Sequence, residues 1–284
     1  QALKNYIKSK IYVKKINVHD LEIIYKFVID RTTPCLVTKT YELRGILYMY
    51  VNNNQEEKEV IDSEMKRMRE MEKSELKSAI EELSMMIQLR PADNKHDGAH
   101  VPTRPFLHVC DLVIQVLDKI GPTMAVFRQD ICQNVQRLEM LYESDPSKYS
   151  NLVEMLKKEV IEGNAKKGPS CSKAFVWLTR SLDFTVALLR RLLKYQGESM
   201  EQAVEESYNI TLKPRHGWIS SIAVKVALKL VPDNKTFTNI LMAKNENYDN
   251  LEEDMQTFIS LLEPVLEDNH SILRFYRLDG LKST

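Results

Sequence analysis

From residue 101 to residue 284 the sequence predicts an all-α domain: a two-layer α-helical sandwich of about eight helices. Three observations predict it. Apolar residues recur at three- and four-residue spacing in one segment after another, as on the buried stripe of a helix. Gly, Pro and Ser punctuate those segments at helix-length intervals. The period-two alternation of a half-buried strand is missing after residue 60.

The chain reads as three parts. Residues 1–60 are an N-terminal extension that is poorly ordered: lysines at 4, 8, 10, 14 and 15 alternate with Ile7, Ile11, Tyr12, Val13 and Ile16, and β-leaning runs at 23–29 and 46–51 have no clear partner. A basic arm touching membranes is the other reading of this stretch. Residues 61–100 are an amphipathic helix and a linker. The helix, 61–89, is free of Gly and Pro and carries Leu76, Ile80, Leu83, Met86 and Ile87; Pro91 ends it, and the polar run 92–102 marks the domain boundary.

Thr103 is expected to cap a helix reaching Ile120, with Phe106, Val109, Cys110, Val113, Val116 and Leu117 as its stripe. Gly121-Pro122 breaks the chain. A helix over 126–142 follows, then another over 147–161 begun by Asp145-Pro146. After a loop at 163–169, Ser170 or Ser172 caps a long helix to about Tyr195, so apolar that much of its circumference must be buried. Gly197 ends it, and Ser199 caps 200–212. His216-Gly-Trp218 opens 219–230, and Pro232-Asp233 starts a short helix. Two last helices, 249–262 and 264–276, are separated at Pro264.

Composition narrows the function. The chain has 284 residues, 43% of them hydrophobic, with 40 basic and 40 acidic residues. A zero net charge argues against nucleic acid as a partner, since phosphate contacts need a basic surplus or stripe. Cys35, Cys110, Cys132 and Cys171 form no C-x-x-C pair and have no His cluster at ligand spacing, so they read as reduced thiols rather than a metal or disulfide framework. That fits a cytoplasmic protein, and no apolar run reaches the roughly 18–20 residues that span a bilayer. Neither a P-loop, a G-x-S-x-G nor an H-E-x-x-H occurs, so the chain is not expected to be an enzyme and needs no cofactor or metal.

The polar residues with a pattern lie on the helix 126–142. Asp130, Asn134 and Arg137 stand at i, i+4 and i+7, on one face about two turns long. An acid, an amide and a guanidinium beside an apolar stripe suit the mouth of an apolar space. Trp177-Leu-Thr-Arg180 lies on the next long helix, and His216-Gly-Trp218 opens another. Taken singly, His216 reads as a local capping or core hydrogen bond and Asp130 as a surface acid.

Together, Asp130-x-x-x-Asn134-x-x-Arg137, Trp177-Leu-Thr-Arg180 and His216-Gly-Trp218, in that order and spacing, resemble the glycolipid transfer protein family, its glycolipid-binding, plant-like branch. Arg137 stands where the family has Lys, and the family's C-terminal Tyr has no counterpart in the ending 278–284. The resemblance covers about 104 onwards. It implies non-enzymatic transfer of a sphingolipid with a sugar headgroup, the ceramide chains held in an apolar cavity between the layers. By the same resemblance Asp130 would bind the ceramide amide N–H and a sugar hydroxyl, and Asn134 and Arg137 the sugar. Trp177 would lie flat on the sugar ring, His216 would donate to the ceramide carbonyl, and Trp218 would touch the membrane. The implied partners are a glycosphingolipid and, transiently, a membrane surface, for a monomeric carrier. Asn134 and Trp177 favour a neutral sugar over the phosphate of ceramide-1-phosphate, which calls for cations at both places. The alternatives are a ceramide-1-phosphate carrier, or a lipid sensor or interaction protein using the same pocket.

Overall fold

The computed structural model describes residues 74–89, 99–195, 197–216, 228–242 and 247–282. All of them lie in the compact unit Glu72–Thr284. The expected extension, the first half of the expected helix 61–89, most of the expected helix 219–230 and Trp218 fall outside the described residues.

Eight α-helices are described. α1 is Glu75–Gln88, α2 Thr103–Ile120, α3 Ala125–Ser144 and α4 Leu152–Ile161. α5 is Cys171–Lys194, α6 Met200–Ile210, α7 Asn234–Leu241 and α8 Tyr248–Phe275. Their starts are written in short polar side chains that satisfy the otherwise unpaired N–H groups of the first turn. Ser74, Ser170 and Ser199 accept from Lys77, Lys173 and Gln202 N–H, and Asp233 accepts from Thr236 N–H. Asn151 begins α4: its Oδ1 accepts from Val153 N at 3.1 Å and from Val101 N at 3.0 Å. The turn between α2 and α3 depends on Gly121, whose φ of +105° suits glycine.

Four local expectations are corrected. The helix expected over 61–89 is not continuous at Ser74, whose extended backbone caps α1, so α1 starts at Glu75. Thr103 is not a cap: α2 starts at Thr103 itself, and its buried hydroxyl donates instead to Tyr149 O at 2.6 Å. The helix expected from 147 starts only at Leu152, capped by Asn151, while Asp145 Oδ1 accepts from Lys148 N at 3.1 Å in a turn before it. The expected break at Pro264 does not occur; α8 runs through it as one helix of 28 residues. Proline removes one N–H and crowds the carbonyl four residues back. Here Pro264 and Ser260 both lie on the exposed face, where water reaches that carbonyl, while Leu262, Val265 and Leu266 on the opposite side are buried. Burial on both sides of the proline holds the helix together.

α1 packs on α2, α2 on α3, α3 on α5, α5 on α8, and α8 returns to α1. Arg190 pairs with Glu263 and Asp183 with His270, so α5 and α8 run antiparallel. Phe106 and Phe175 meet edge-on at 5.4 Å in the core between α2 and α5. Leu76, Ala79, Leu83 and Met86 of α1 belong to the same core. Among the described residues Cys110, Cys132 and Cys171 are buried thiols, and no helix is long and apolar enough to cross a membrane.

Candidate functional site

The helices enclose a cavity of about 220 Å³ whose walls are almost wholly apolar. α2 contributes Val109, Leu112, Val113 and Val116, α5 contributes Phe184, Leu188 and Leu189, and α6 contributes Val204 and Tyr208. Three of the residues singled out in the sequence border it: Asp130 on α3, Trp177 on α5, and His216 just after the 3-10 turn Lys213–Arg215. Residues from three elements far apart in the chain thus line one cavity.

Asn134 and Arg137 stand beside the cavity and outside its lining. They form a chain along α3: Arg137 Nη1 donates to Asn134 Oδ1 at 3.0 Å, and Asn134 Nδ2 donates to the Asp130 carbonyl at 2.9 Å. The buried Asn134 keeps one N–H and one lone pair for anything else. The Asp130 carboxylate is exposed on one side and backed by apolar wall on the other. That partial desolvation raises its pKa, and Arg137 pulls it back down.

The Trp177 and His216 rings lie 5.5 Å apart, tilted by 41°, and the Tyr208 ring lies 5.6 Å from His216, tilted by 49°. Burial first, and the nearby Arg180 second, lower the His216 pKa, so the ring is neutral at neutral pH. Its Nδ1 is buried with no hydrogen-bond partner among the described residues. A neutral imidazole with one free nitrogen at a cavity rim offers a donor or an acceptor, according to tautomer.

Arg180 does something its sequence motif does not disclose. Its guanidinium stacks on Trp177 at 4.8 Å and donates to the carbonyls of Asp279 at 2.7 Å and Leu281 at 2.8 Å. Burial, with Arg215 nearby, lowers its pKa to about 10. Arg180 is therefore tied to the C-terminal segment behind the indole. That segment is held again by Asp279, which takes Arg215 at 3.3 Å and approaches His270 Nδ1 at 3.7 Å. His270 Nε2 in turn bonds Asp183 at 2.9 Å. Nothing local in the sequence marks these residues, since they meet only when α5, α8 and the chain end pack together.

The Asp183 hydrogen bond, above all, raises the His270 pKa above its ordinary 6.5. Protonated His270 therefore stabilises the fold fully below pH 6.5, and the contribution fades as pH rises through the raised folded value. The melting temperature is expected to fall across that window in the native chain and to be flatter in His270→Gln, as thermal melts at stepped pH would record. Parallel curves for the two proteins would contradict this.

Residues 101–243 match the family model of the glycolipid transfer proteins. The chain belongs to the glycolipid transfer protein family. It is 56% identical to glycolipid transfer protein 2 of Arabidopsis thaliana over 223 residues, 77% of this chain and 100% of that one. Members of the glycolipid transfer protein family are lipid carriers and not enzymes. The fold is the all-α, two-layer glycolipid transfer protein fold. A structure of FAPP2, described as selecting simple glycosphingolipids with this fold, superposes with a TM-score of 0.61 at 24% identity, covering 66% of this chain and 92% of that one. Mouse ceramide-1-phosphate transfer protein superposes with 0.62 at 22% identity, covering 72% and 98%. Neighbours at this distance share the fold alone, and they include both sugar and phosphate headgroups, so the architecture does not choose between them.

Proposed function

We propose that this chain carries a neutral glycosylceramide between membranes, and that Asp130, Asn134, Arg137, Trp177 and His216 form its headgroup site. The supporting observation is the apolar cavity whose lining includes a carboxylate, an indole and a neutral imidazole with a free nitrogen. Asp130 accepts from the ceramide amide N–H and a sugar hydroxyl. His216 donates to the ceramide carbonyl. Trp177 packs one face on the sugar ring, the other being taken by Arg180. Asn134, held by Arg137, turns its spare N–H to the sugar.

The ceramide chains supply the affinity, at about 0.8 kcal/mol for each CH₂ buried. The same burial is lost on leaving a bilayer, so transfer is close to balanced and needs no energy source. A cavity of about 220 Å³ is smaller than sites for drug-sized ligands, which run roughly 300–1,000 Å³. A wall must therefore move to admit a two-chain lipid. The carrier works as a cytosolic monomer that touches membranes transiently through the region of Trp218.

Neutral sugar is favoured over phosphate because the two arginines near the rim are engaged. Arg137 serves Asn134, and Arg180 serves two backbone carbonyls. The test is transfer of labelled glucosylceramide and of ceramide-1-phosphate between vesicles. Glucosylceramide is expected to move and ceramide-1-phosphate to lag. Trp177→Ala is expected to slow the sugar lipid about tenfold through lost stacking and buried area. Preference for the phosphate lipid, or indifference to the tryptophan, would defeat this reading.

A further inference from the structure

The cavity lining holds a second carboxylate. Glu75, the first residue of α1, lines it beside Leu76 and Ala79. α1 and α3 each pack on α2 and not closely on each other, so Glu75 and Asp130 enter the lining from different helices. Glu75 Oε2 accepts from Lys119 Nζ at 2.6 Å across the seam between α1 and α2. The glutamate side chain is 14% exposed and the lysine 46%, so the pair faces the cavity on one side and solvent on the other.

An alkyl chain laid along the apolar lining meets the Glu75 carboxylate at the α1 wall. Beyond that point a methylene gains no apolar contact, and it must displace an ion pair to go further. We propose, resting on the carrier reading above, that the Glu75–Lys119 pair is the end-stop of the chain cavity and determines which acyl-chain length is preferred. The lysine end of the pair is open to water and the pair spans a helix seam, so parting it is cheap beside the gain from burying a few more methylenes. It acts as a soft limit: longer chains enter at reduced affinity.

The full chain, incubated with vesicles holding equal amounts of hexadecanoyl- and tetracosanoyl-glucosylceramide, would be analysed by native mass spectrometry. Glu75→Ala and Lys119→Ala are expected to raise the ratio of long to short lipid bound, by about fourfold for each methylene newly buried. Ala79→Leu puts an isopropyl group into the same end and is expected to lower the ratio. Lys119→Ala parts the pair without altering the lining, so it decides the matter even where Glu75→Ala fails to fold. Equal ratios in the native chain and the folded variants would overturn the end-stop and leave the headgroup reading standing. Absence of bound glucosylceramide from the native chain would overturn the headgroup reading, and the end-stop with it.

Discussion

Asp130→Val is expected to abolish glucosylceramide transfer while leaving the fold intact. The side chain is exposed and no described residue donates a hydrogen bond to its carboxylate. What Asp130 gives to α3 is its backbone carbonyl, which accepts from Asn134 and survives the substitution. In the proposed complex the same carboxylate accepts from an amide N–H and a hydroxyl, and hydrogen bonds to a charged group are worth roughly 1.5–3 kcal/mol each. Losing both weakens headgroup binding by about 100-fold or more. Vesicle transfer and a thermal melt on one preparation separate the two effects. A folded Val variant that still carries the lipid at the native rate would remove Asp130 from the site.

The second large effect is on stability. A chain beginning at residue 101 is expected not to fold, whereas one beginning at Glu72 folds and transfers. The longer deletion removes α1, whose Leu76, Leu83 and Met86 are each 6% exposed or less. At roughly 1.5–3 kcal/mol for each such side chain, the loss is about 5–9 kcal/mol. That rivals the whole stability of an ordinary domain, about 5–15 kcal/mol. It also opens one wall of the cavity, since Leu76 and Ala79 line it. The shorter deletion keeps Ser74, the cap of α1. Circular dichroism melts of the two truncated chains check this; cooperative unfolding of the chain from residue 101 would show α1 to be dispensable.

The helices were legible because their causes are local. Ser170 and Ser199 cap helices through bonds three residues away, and the apolar stripes of α2 and α5 follow from spacing alone. Where local cues misled, a distant partner had intervened. Thr103 has a capping residue's chemistry, yet Tyr149 takes its hydroxyl, 46 residues along the chain. Pro264 carries a breaker's signal, yet buried neighbours on either side hold α8 continuous.

The candidate site divides in the same way. By itself the sequence determined the all-α class, the family, and the placing of Asp130, Asn134 and Arg137 on one helix face. Those depend on periodicity and on motif residues a few positions apart. Tertiary structure alone decided that Asp130, Trp177 and His216 line one cavity while Asn134 and Arg137 stay outside its lining. It alone turned Arg180 from a spare cation into the tie that holds residues 279 and 281 behind Trp177, about a hundred positions away. It also brought Glu75 to the cavity across from Lys119, 44 positions distant. A helix dictates which of its own residues share a face. Which face meets which is decided by the burial of all the stripes at once, and no segment carries that information alone.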